Sequence, residues 1–138
     1  MTITNIRAAL DTRLLSTPGG LPAQWTAWDN KALKTQPAAT QAFQVVSLLP
    51  ARPDNPTLTE ETQIHNGIYQ VLLYMPVSAG PLPGEAIAQA IVSHFYAGLT
   101  LTYGGQKVRI RGTPAIAAGY LSGERYCVPI SVRYNSIV

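Results

Sequence analysis

The sequence predicts an α+β fold, with a single, mostly antiparallel sheet of about five strands and two helices packed on one face. Three observations predict it. Apolar residues recur at helical spacing in two separate windows, Ile6, Leu10 and Leu14, then Ile87, Ile91 and Phe95. Strand-like runs closed by Pro or Gly occupy much of the remainder. The length of 138 residues suits one domain, 1–138, with one core, and is too short for two.

In chain order, Thr4 or Asn5 is placed to cap the first helix, because a short side-chain oxygen satisfies an amide that has no partner inside the helix. Pro18, Gly19 and Gly20 stop it. Residues 21–40 show no sustained period. They read as a loop with a short strand around 28–34, anchored by Trp25 and Trp28. A strand at 43–49 ends at Pro50, and a second at 64–75 ends at Pro76. The fourteen residues between them exceed what a hairpin requires, and a connection of that length is usually functional or mobile.

Pro81, Pro83 and Gly84 lead into the second helix, roughly 84–97, with Glu85 near its positive end and Gly98 as its stop. Two short strands, 99–103 and 106–111, flank the turn dipeptide Gly104-Gly105. Residues 112–123 read as a Gly- and Ala-rich loop. The last strand runs over 124–134 and contains Pro129, which cannot donate to a ladder, so an edge position or a bulge is expected there.

Composition narrows the function. Charged residues make up 12%, about half the usual share, and the net charge of +3 comes from scattered Lys and Arg without a dense basic tract. The single cysteine, Cys127, excludes an intrachain disulfide and fits a reducing compartment. No apolar run reaches the ~20 residues of a membrane span, and no signal-peptide pattern opens the chain, so a cytoplasmic, membrane-free product is expected.

Catalytic chemistry finds little footing. His65 and His94 lack metal-ligand spacing and read as structural, and Cys127 reads as a core thiol. The neighbouring acids Glu60 and Glu61 belong to the polar loop, and Gly104-Gly105 lacks the Lys-Ser/Thr of a phosphate loop. No enzyme, cofactor or metal is therefore expected. An enzyme reading would need His65, His94 and two carboxylates gathered in one pocket. Lys107, Arg109 and Arg111 alternate on one strand near Tyr103. A basic face with an aromatic could hold single-stranded nucleic acid; the plainer reading is a solvated strand face opposite Val108 and Ile110.

A sheet with one dry face alternates apolar and polar residues. Here Ile68, Leu72 and Tyr74 point one way and Tyr69, Val71, Leu73 and Met75 the other, and 45–49 behaves similarly. Two helices cover one side. Either the loops 25–40 and 112–123 fold over the other side or another chain does, and an exposed apolar patch of that kind marks an interface.

Several strings in order, "IRAALDTRL", "LLPARPDNPTL", "HNGIYQVLLYMP", "AIAQAIVSHF", "LTYGGQKVRI" and "YCVPISVRY", resemble the tail terminator, or tail completion, proteins of long-tailed bacteriophages. They span nearly the whole chain, and 25–40 departs from the pattern. The resemblance implies a non-enzymatic virion protein, made in the bacterial cytoplasm, that forms a hexameric ring on the tail tube, halts polymerisation and meets the head-tail connector. DNA would pass through its lumen without sequence recognition. It places subunit or tail contacts on the 50–63 loop, with Arg52, Asp54, Asn55, Leu58, Glu60 and Glu61 as contact residues. The alternatives are a small binding module for single-stranded nucleic acid, built on Tyr103, Lys107, Arg109 and Arg111, or another phage head-tail structural protein.

Overall fold

The structure, a computed structural model, describes residues 2–52, 64–78 and 80–137. Its first element is helix α1, Thr2–Leu15, which buries Ile6, Ala9, Leu10 and Leu14. The helix begins before the expected cap, so Thr4 and Asn5 lie inside it. Asn5 packs instead against the later Gly104 turn, where a Cβ would meet its Nδ2 at 3.1 Å. Between the helix and the sheet, a short 3₁₀ turn at Ala23–Trp25 leads into β1, Thr26–Ala27, which replaces the strand expected at 28–34. Trp28 closes a bridge with Lys31 and packs on the core.

Two long antiparallel strands follow, β2 at Phe43–Pro50 and β3 at Ile64–Pro76. The second helix, α2, spans Leu82–His94. Pro83 is tolerated in its first turn because the missing N–H has no intrahelical partner there. Gly84 lets α2 settle on the sheet: a Cβ would stand 3.1 Å from Met75 Cγ and 3.2 Å from Val128 Cγ2. Helical geometry ends at Phe95, earlier than the expected stop at Gly98, whose amide already bonds Ile110 O at 3.0 Å. The chain then forms β4, Thr100–Tyr103, and β5, Gln106–Ile110, around the predicted two-glycine turn.

The remaining elements correct the expected sheet. Residues 112–123 are not all loop: they contain β6, Ala115–Ile116, and β7, Tyr120–Ser122, and the final strand β8 runs over Arg125–Ile137. Among the described residues the sheet therefore has eight strands, in the order β1-β2-β3-β8-β5-β4, with β6 and β7 also on β8. It is mixed, because β1 runs parallel to β2 while the other pairs are antiparallel. Strands of two or three residues carry no readable period, which is why "about five" was too few.

β8 is central, contrary to the edge position expected from Pro129. One side pairs with β3 along its whole length; the other meets β7, β6 and β5 in succession. Pro129 O accepts the Ala117 amide at 2.9 Å. In an antiparallel ladder a residue's N–H and C=O point to the same side, so the absent N–H faces the gap between β6 and β7, and no ladder bond is lost.

Both helices lie on one face. α1 packs on β4 and β5, and α2 on β3 and β8, over a core that includes Val46, Tyr69, Val71, Phe95, Ile130 and Tyr134. A polar node is set into that face. Tyr69 OH donates to Asp11 Oδ1 at 2.6 Å, and Arg7 pairs with Asp29 at 2.9 Å, whose carboxylate also accepts the Leu48 amide at 3.0 Å. Burial pushes the Asp11 carboxyl up, opposed by the Tyr69 bond, whereas the Leu48 amide holds Asp29 down. Burial raises the Tyr69 phenol, so it stays protonated and donates.

Candidate assembly surface

The register aligns the outer residues into rows across the three long strands: Phe43, Tyr74 and Cys127; Val45, Leu72 and Pro129; Ser47, Gln70 and Ser131; Leu49, Ile68 and Arg133. Successive side chains alternate between faces, so all of these point away from the helices. Val46, Val71 and Ile130 on the helix side are 0% exposed. Their outer neighbours Val45, Leu72 and Pro129 are only half-buried, and Leu49 and Ile68 reach 48% and 37% exposure. The two-faced apolar pattern is real, and no described helix lies on the second face.

One corner of that face is covered by the chain itself. Phe43 stacks on Tyr74 with centroids 5.0 Å apart, and the Arg125 guanidinium lies 5.1 Å from the Phe43 ring. Arg125 also donates to Gln41 O, and to Ala38 O at 2.7 Å, pinning the segment before β2. Of the two loops expected to roof this face, the earlier one covers the Phe43 corner, while 112–123 extends the sheet sideways through β6 and β7. Cys127 beside Tyr74 is fully buried, but on this outer face and outside the core cluster under the helices, where the sequence reading places a core thiol.

The opposite corner is cationic. Arg109 in β5, Arg111 just after it and Arg133 on β8 surround a cleft of about 410 Å³, completed by Gly98, Ile110, Gly112 and Asn135. The Arg111 amide donates to Arg133 O at 2.8 Å, which fixes the two backbones side by side. Gly112, at φ 74°, passes close enough to Arg133 that a Cβ would meet its Nη2 at 3.1 Å. Lys107 lies on the same side of β5 as Arg109. Tyr103 does not: it pairs with Gln106 and so alternates to the other side. This register removes the aromatic from the basic face on which the single-strand reading depended.

Other residues singled out by sequence are dispersed. Arg52 is exposed and follows Ala51, whose amide donates to Asn66 O at 2.8 Å. Asp54, Asn55, Leu58, Glu60 and Glu61 lie outside the described residues. His94 ends α2, with its Nε2 2.8 Å from Ser16 Oγ and its carbonyl accepting the Arg13 guanidinium, so it joins the two helices. His65 sits at the start of β3 opposite Ser136. Among the described residues no three His, Cys, Asp or Glu side chains gather into a metal-holding cluster.

Comparison with known proteins decides the family. A family model described as phage tail terminator protein matches residues 5–134. The chain belongs to the phage tail terminator family. A solved structure is similar over 99% of this chain and 96% of that one, with a TM-score of 0.79 and 27% identity. No curated protein matches the chain. A tail terminator is a structural component of the phage tail, and this chain takes a structural role of that kind. No described helix is long and apolar enough to cross a membrane.

Sequence reasoning located Leu49, Ile68, Lys107, Arg109 and Arg111 but missed Arg133 and Asn135. These two lie more than twenty residues from Arg109 along the chain, and only the β5–β8 pairing brings them alongside.

Proposed function

We propose that six copies of this chain close into a ring on the end of a completed tail tube, block addition of further tube subunits and present a second surface to the head-tail connector. The outer sheet face supports this reading. Leu49 and Ile68 remain exposed beside half-buried Val45, Leu72 and Pro129, an apolar surface suited to a neighbouring subunit. Identical chains meeting through two different surfaces close into a ring when the rotation between neighbours closes. In this reading Arg52, Asp54, Asn55, Leu58, Glu60 and Glu61 touch a neighbour or the tail, and the chain acts as one domain, made in the bacterial cytoplasm and carried in the virion tail.

The mechanism is geometric. One face of the ring matches the tube end and the other does not, so the next tube ring has nothing to bind. DNA passes through the lumen without base contacts. Electron microscopy of tails assembled without this protein tests the proposal. Tubes of irregular, extended length that fail to join heads are expected; tubes of fixed normal length that join heads efficiently overturn it.

A further inference from the structure

We propose that the cleft between β5 and β8 holds backbone phosphates of duplex DNA through Arg109, Arg111, Arg133 and the adjacent Lys107, without reading sequence. The proposal rests on the terminator reading only for the source of the DNA. Its physical basis is charge that no described carboxylate compensates. Arg7 is engaged by Asp29, Arg13 by the His94 carbonyl, and Arg125 by two carbonyls and the Phe43 ring. The cleft arginines have no carboxylate partner among the described residues. The described acids lie elsewhere: Asp11 and Asp29 in the polar node, Glu85 on α2 on the helix-covered face, and Glu124 in the turn at the far end of β8. Such a patch attracts an anion.

Geometry selects the kind of anion. Lys107, Arg109 and Arg111 alternate along one strand, about 6.6 Å per step, and Arg133 stands beside them, which suits a linear row of charges. Ile110, the one apolar side chain among the described residues lining the cleft, is buried, and exposed Ile68 lies outside it on the far side of β8, so a protein segment finds no apolar anchor within the cleft itself, whereas nucleic-acid interfaces are polar and cationic. Non-specific single-strand binding relies on aromatic stacking, and Tyr103 lies on the opposite side. Duplex backbone, contacted at phosphate by arginine forks and by polar Asn135, satisfies all three conditions.

Fluorescence anisotropy of the isolated protein with a labelled mixed-sequence duplex tests this. Four neutralised phosphates predict binding that weakens about 150-fold between roughly 50 and 200 mM salt. The variant carrying Arg109→Gln, Arg111→Gln and Arg133→Gln keeps one cation and should weaken only about 3- to 4-fold over that range, from a lower starting affinity. Each single Arg→Gln variant should lower the logarithmic salt slope by about 0.9, a readout that survives if the triple variant folds poorly. Lys31→Gln with Lys34→Gln, outside the cleft, should leave binding unchanged. The proposal is overturned if the wild type does not bind duplex at the lower salt, or if the Lys31/Lys34 pair matters as much as the arginines. Tighter binding of a single strand, or displacement by polyglutamate at equal charge concentration, also overturns it, the latter by pointing to an acidic protein. Binding by the isolated chain is independent of tail length in microscopy, so the failure of either reading leaves the other measurable.

Discussion

Adjacent residues on the same strands have opposite fates on the two sides of the sheet. Val46, Val71 and Ile130 meet the helices and lose all contact with water; Val45, Leu72 and Pro129, one residue away, do not. Both sets are apolar, so hydrophobicity alone does not distinguish core from surface here. What separates them is the supply of helix. Two helices of 14 and 13 residues roof one face, and among the described residues the other is covered by the segment pinned by Arg125. The first face supplies stability, and the second is the one we propose for association.

Substitutions on the two faces should therefore differ in kind. The largest loss is expected from Phe95→Ala. This fully buried ring lies 6.2 Å from that of Tyr69, and its removal should cost about 3–5 kcal/mol in denaturant unfolding. Tyr69→Phe should cost about 1–3 kcal/mol, because Asp11 then keeps a partly buried carboxylate without its phenolic donor. A loss below about 0.3 kcal/mol would show that water replaces the phenol fully.

Asp11→Asn should act in the opposite direction. Burial raises the folded-state pKa of Asp11, so its contribution is fully present below the ordinary carboxylate pKa and is lost as pH rises through the raised value. The asparagine oxygen still accepts from Tyr69 and carries no charge. The variant should gain stability over the wild type as pH rises from 3 toward 7; a gap independent of pH would assign the effect to packing.

The smallest effect on the isolated chain belongs to the outer face. Leu49→Gln and Ile68→Gln should each change unfolding free energy by no more than about 0.5 kcal/mol. The same pair should reduce tail completion in assembled phage. Strong unfolding by this pair would erase the contrast between the faces, and normal assembly would remove the outer face from the interface.

Much of this was legible in the residues. Helical spacing at Ile6, Leu10 and Leu14, proline-closed runs at 43–50 and 64–76, and Gly104-Gly105 each express a local preference that the fold obeys. The short strands β1, β6 and β7 were not legible, because their backbone hydrogen bonds come from distant partners, not from any period of their own. Pro129 misled for a related reason: its effect depends on which side of β8 its missing amide faces. The polar node and the cleft share that character, each joining residues from separate elements.

The order of apolar and polar residues along the chain determined which segments become helix or long strand, and that both faces of the central strands are oily, since these follow from side-chain period and backbone preference. Tertiary structure decided which face the helices roof, that β8 lies in the middle of the sheet, and that Arg133 stands beside Arg109 and Arg111. Those outcomes depend on pairing between segments far apart in sequence, and no local pattern encodes the partner.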